Sequence, residues 1–126
     1  MVEEWDGSRI DILFVDLAKT ADLNIRIIDQ FYPALVPGES LLVHQDFNFC
    51  WLPYIHISMQ YLAHRFVIID RWVWDSSRIY MLKDKITPEE FKHIRSFSRE
   101  ERIDLLQAYV DGETGQSLAM ARVTNP

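Results

Sequence analysis

A chain of 126 residues, 48% apolar and 25% charged, has the size and composition of one compact domain and excludes both a two-domain protein and a disordered one. A formal charge of −6, with no clustered cations, argues against a nucleic-acid or anionic-membrane surface. The lone cysteine, Cys50, excludes an internal disulfide and points to a reducing, cytoplasmic setting; the acidic start MVEEWDGSR is unlike a secretory leader, and no stretch approaches the roughly 18 apolar residues of a membrane span.

Ile10 to Leu17 is almost continuously apolar, which predicts a strand buried on both faces, as in a parallel sheet. Thr20 then caps a helix with Leu23, Ile27, Ile28 and Phe31 at helical spacing, stopped by Pro33 and Pro37-Gly38. Ser40 to Phe47 is the second strand, and strand, helix and strand make a right-handed parallel unit. Pro53 opens a further helix with Ile55, Met59, Leu62 and Ala63 on one face, closing near His64-Arg65. Phe66 to Asp70 and Arg78 to Leu82 pair as an antiparallel hairpin around WVWDSS.

Downstream, Thr87-Pro88-Glu89-Glu90 and Ser98-Arg99-Glu100-Glu101 each place a hydroxyl three residues before a glutamate, the pattern of a capping box. The second of these helices carries Ile103, Leu106, Tyr109 and Val110 and is expected to stop at Gly112, with Thr114 capping a last short helix through Leu118, Ala121 and Val123. The expected fold is therefore α/β: a small mixed sheet of about four strands, two parallel plus a C-terminal antiparallel hairpin, with flanking helices and a helical C-terminal third. Residues 1–126 form one domain, with no internal repeat and no linker rich in Gly, Pro or Ser.

The order DILFVD, a helix ending in FYPALVPGESLLVHQDF, and then a hairpin over residues 66–83 resembles the C-terminal half of class I S-adenosylmethionine-dependent methyltransferases. The resemblance covers roughly residues 5–83. It implies a strand order of first, second, fourth, third, with SSRIYML inserted antiparallel between its neighbours. It also implies that the DILFVD strand, covered in the full-length family by the cofactor-binding half, is an open edge here. The glycine-rich cofactor loop of the family is missing: Gly7, Gly38, Gly112 and Gly115 are scattered, so S-adenosylmethionine is not expected to bind the isolated chain.

Both of the first two strands run into an acid, Asp16 and Asp46. Metal-dependent O-methyltransferases of the catechol type place an Asp at this strand end, a Lys three positions on, and an Asp-Asn pair after the next strand. The resemblance thus makes Asp16, Lys19 and Asp46 candidate catalytic residues, the carboxylates holding a divalent ion and Lys19 accepting a proton. Phe47 stands where Asn would follow Asp46, and His44 takes the aligned place of the acid. A second possible metal set joins Asp16, His44, Asp46 and His56. The plainer alternative is that these acids face solvent or cap a helix and that the histidines pack among aromatic rings. Cys50 reads as a packed thiol more readily than as a nucleophile.

Four tryptophans, Trp5, Trp51, Trp72 and Trp74, are many for so short a chain, and some are expected to face a partner. The sequence accordingly points first to a non-catalytic, self-associating methyltransferase-like domain, a homodimer formed through its open edge and aromatic surface. Two alternatives accompany it: a small-ligand or divalent-metal module built on Asp16 and Asp46, and an interaction subunit completed by a partner chain that carries the cofactor half.

Overall fold

The computed structural model describes residues 4–16, 20–48, 52–73 and 76–124, with the backbone alone over 116–124. Its elements follow the expected order: β1 (Ile12–Val15), α1 (Ala21–Phe31), β2 (Leu41–His44), α2 (Pro53–Tyr61), β3 (Phe66–Val73), β4 (Ser77–Leu82), α3 (Pro88–Ile94) and α4 (Arg99–Thr124). Short 3-10 turns at Tyr32–Ala34 and Ala63–Arg65 carry the chain out of α1 and into β3.

One four-stranded sheet runs β1-β2-β4-β3, with β1 parallel to β2 and the other pairs antiparallel. The hairpin strand β4 is inserted between β2 and β3, which leaves β1 and β3 as edges. In the parallel ladder the carbonyls of Asp11 and Val15 accept from Leu41 and Gln45 of the β2 segment. Strand alternation therefore turns the amides and carbonyls of Ile12 and Phe14 away from β2, along the open edge.

The helix boundaries have local causes. Thr20 accepts the amide of Leu23 at the start of α1, and Pro33 sits in the turn that ends it. Thr87 and Glu90 form a reciprocal capping box at α3, and Ser98 and Glu101 do the same at α4. Gly38, at φ 78°, takes a left-handed conformation in the turn before β2 that a side chain would strain. Its amide donates to the carbonyl of Leu82, tying the turn to the end of β4.

Two expectations are corrected. Gly112 does not end a helix and Thr114 does not start one, because α4 is continuous from Arg99 to Thr124. An interior glycine costs a helix only about 1 kcal/mol, and the very next residue, Glu113, is anchored by Arg71 and Arg78 of the hairpin. The second strand ends at His44 rather than running to Phe47, and Asp46 lies in the following turn with a left-handed φ of 61°.

The larger correction concerns β1, which is buried on one face only. The core joins Leu42, Tyr80, Leu82, Val15 and Phe66 of the sheet to Ile27, Ile28 and Tyr32 of the α1 region and Ile55, Met59 and Leu62 of α2. These sheet residues share one side, as the pairings of Leu42 with Tyr80 and Phe66 with Leu82 require. On the other side Ile12 and Phe14 remain 64% and 54% exposed, because the helical layer packs on the opposite face.

Candidate functional site

The register defines the open side of the sheet residue by residue. Ile12 pairs with Leu41, Leu41 with Met81, and Met81 with Val67, giving one row across all four strands. Phe14 pairs with Val43, and Val43 with Ile79; there a bulge sets Ile69 and Asp70 against Ile79, completing a second row. Asp70, at the β3 end of that row, is the polar exception among these named positions. Val67 and Ile69 are 40% and 51% exposed, and the central Leu41, Val43, Ile79 and Met81 are half-buried. A sheet with one solvated face ordinarily alternates apolar with polar. This one does not.

The opposite side, at the C-terminal ends of β1 and β2, holds the residues that the sequence singles out as chemical. Asp16 follows β1 and is exposed; Asp46 is half-buried in the turn after β2. Both line a crevice with His44, Gln45, Leu52 and Ile55, of about 10 Å³. That is room for one water molecule and no substrate. Lys19 and Cys50 lie outside the described residues, as do Trp51 and Trp74.

His44 and His56 are brought together, but around a phenyl ring rather than an ion. Phe47, 1% exposed, lies 5.6 Å from the His44 ring and 4.6 Å from the His56 ring. His44 Nε2 is 3.3 Å from the Tyr32 hydroxyl, and His56 Nε2 is 2.9 Å from the Phe47 carbonyl. Burial drives the His44 pKa down to about 3, with the neighbouring His56 charge adding to the effect. His56 is lowered as well, again chiefly by burial. In both rings burial favours the neutral form. Among the described residues no three His, Cys, Asp or Glu side chains gather as a metal site.

The same ring organises a charged group that the sequence reading passed over. Arg78, 2% exposed, lays its guanidinium 4.6 Å from the centre of the Phe47 ring, a cation–π contact. Its Nη1 donates to Glu113 Oε1 at 2.8 Å, while its Nη2 donates to Glu113 Oε2 at 3.1 Å and Asn48 Oδ1 at 2.8 Å. Arg71 Nη1 adds a 3.1 Å bond to Glu113 Oε1. Burial raises the Glu113 pKa, but the hydrogen bond from Arg78 and the charges of Arg78 and Arg71 outweigh it and hold the carboxyl below its usual range. Asn48 is fixed by donating to the carbonyls of Arg71 and Ser77. Glu113 thereby ties α4 to the hairpin, while Tyr109 packs α4 on α2 by stacking on His56 at 4.4 Å.

This group was signalled by Arg78 opening an otherwise apolar strand, RIYML, at a core position. Its acid lies 35 residues further on, too far for any local pattern to join the two.

No known protein family, curated protein or solved structure is significantly similar to the chain. No helix among the described residues is long and apolar enough to cross a membrane.

Proposed function

We propose that this chain is a non-catalytic, self-associating domain of methyltransferase-like α/β architecture, and that two copies pack through their open sheet faces. The observation that carries this reading is the pair of apolar rows Ile12, Leu41, Met81, Val67 and Phe14, Val43, Ile79, Ile69. Side chains of this type and exposure, with Trp72 at 55% beyond them, offer roughly 600–800 Å² per copy, or about 1,200–1,600 Å² for a pair, the size of a stable interface. Patches this large on a lone chain mark an interaction surface. A twofold axis through the face sets each row against an equally apolar row of the second copy, so the surface is its own complement.

Two further observations support the reading. The strand order matches the order that the methyltransferase resemblance implies, in which this sheet is the far half of a larger one and its β1 edge needs a cover. The strand-end crevice of about 10 Å³ and the use of Phe47 as a packing hub weigh against residual transferase chemistry at Asp16 and Asp46.

Light scattering on the purified chain tests the proposal. The expected mass at micromolar concentration is twice 14.9 kDa. A well-behaved monomer overturns it, as does a chain that leaves the monomeric state only when mixed with a different protein.

A further inference from the structure

The two ends of the open sheet face differ in charge. At the end where β1 finishes, Asp16 follows the strand and Asp70 closes the second apolar row, and both are exposed. Asp70 Oδ1 accepts the amide of Trp72, and neither acid meets a cation among the described residues. Lys19 and Asp75, the charged residues of the neighbouring stretches outside the described residues, are of opposite sign. At the other end the β3–β4 ladder runs one step past Phe66 and Leu82, with the Lys83 amide donating to the Arg65 carbonyl at 2.7 Å. Strand alternation carries Lys83 to the side of Met81 and Val67. Lys83 is exposed and has no ion pair among the described residues, whereas Arg9 is shared between Asp11 at 2.6 Å and Glu39 at 3.1 Å. Counted over these four residues, this end is neutral and offers a cation; the first end is acidic.

Given the face-to-face pairing proposed above, we propose that the two copies pack head to tail, about a twofold axis that crosses the strands, with Lys83 of each copy set against Asp70 of the other. Aligned sheets leave two choices of axis in the plane between them. An axis along the strands lays β1 over β3 of the second copy and sets like end on like end, so that Asp16 of one copy faces Asp70 of the other. An axis across the strands lays β1 on β1 and reverses the ends. The Ile12 row then meets the Phe14 row, and the acidic end meets Lys83. Burial of the apolar rows drives association in either arrangement, so the charges at the rim decide between them: like charges set face to face oppose it, and opposite charges fix the register.

Sedimentation equilibrium on two charge-reversed variants, alone and mixed, tests the geometry. Lys83→Glu and Asp70→Lys each turn both symmetric contacts of a pair from attraction to repulsion, and each is expected to weaken self-association about tenfold. Both positions are exposed, and circular dichroism is expected to show the parent's fold in both variants. An equimolar mixture of the two is expected to recover the parent's dissociation constant to within about threefold, because each mixed pair regains two contacts of opposite charge. An Asp70→Lys variant that associates more tightly than the parent overturns the proposal and places the axis along the strands, where the new cation faces Asp16. A mixture no tighter than the separate variants also overturns it, while leaving the pairing of the faces intact. A monomeric parent chain removes the pairing itself, and the head-to-tail geometry with it.

Discussion

The two faces of the sheet are built from nearly the same residue types and meet opposite fates. On the helix side Leu42 and Tyr80 are sealed beneath α1 and α2. One residue further along β2 and one earlier along β4, Val43 and Ile79 face outward with no helix among the described residues above them. Apolar character alone therefore does not say whether a strand face is covered by its own chain. It says that something covers it, and the topology then tells whether that cover is internal. Here every crossover returns on one side, so among the described residues the second face has no helical cover, and the proposal assigns that cover to a second copy.

The comparison is broken most forcefully by matched substitutions on adjacent residues. Leu42→Ala, on the sealed side, is expected to cost about 2–5 kcal/mol in chemical denaturation, through lost burial and the cavity it leaves. Val43→Glu, on the open side, is expected to leave the monomer folded by circular dichroism while abolishing the dimer in light scattering, because an unpaired carboxylate at the centre of a desolvated interface is intolerable. Equal loss of fold from both changes would erase the distinction between the faces.

A smaller effect comes from the histidines buried on the helix side. With the His44 pKa held near 3 against an ordinary 6.5, the unfolded chain binds a proton through this range and the folded chain does not. Stability is therefore full above about pH 6.5 and falls as the pH drops toward 3, by up to about 1.4 kcal/mol per pH unit. His56 acts in the same direction. Urea midpoints measured between pH 7 and 4 check this, and His44→Asn, which removes the titrating group, is expected to flatten the slope without abolishing it. An unchanged slope would place His44 in water rather than in the core.

The smallest expected effect sharpens the comparison by separating stability from association. Thr87→Ala removes one half of the α3 capping box, remote from the open face, and is expected to cost about 1 kcal/mol in denaturation. The dissociation constant of the dimer is expected to stay unchanged in the same variant, as measured by sedimentation equilibrium.

Much of this fold is legible in the sequence because local chemistry and global arrangement agree. The caps at Thr20, Thr87 and Ser98 appear where the hydroxyl-to-glutamate or hydroxyl-to-apolar spacing places them. The strand order is the one that the methyltransferase resemblance of residues 5–83 implies, with the second hairpin strand inserted between its neighbours. Gly112 misleads because its helical cost is small beside a tertiary anchor that no local window contains. Continuous apolarity in β1 reads as burial on both faces, but it does not reveal that the chain's own helices cover only one of them and leave Ile12 and Phe14 exposed. The site residues divide in the same way. Asp16 and Asp46 are conspicuous in the sequence and line a crevice too small to hold a substrate. Arg71, Arg78 and Glu113 are inconspicuous, and a chain separation of 35 to 42 residues hides what their shared hydrogen bonds make plain.

The central claim is that the open face is buried between two copies, and methyl NMR with a soluble paramagnetic agent tests it most directly. Ile12, Ile69 and Ile79 report on the open side, and Ile28 and Ile55 report on the sealed one. The account predicts that all five methyl groups are equally shielded from the agent in the purified protein, and that Val43→Glu exposes the first three alone. Strong relaxation at Ile12, Ile69 and Ile79 in the unmodified chain, with Ile28 and Ile55 protected, would show a face bathed in solvent and contradict it.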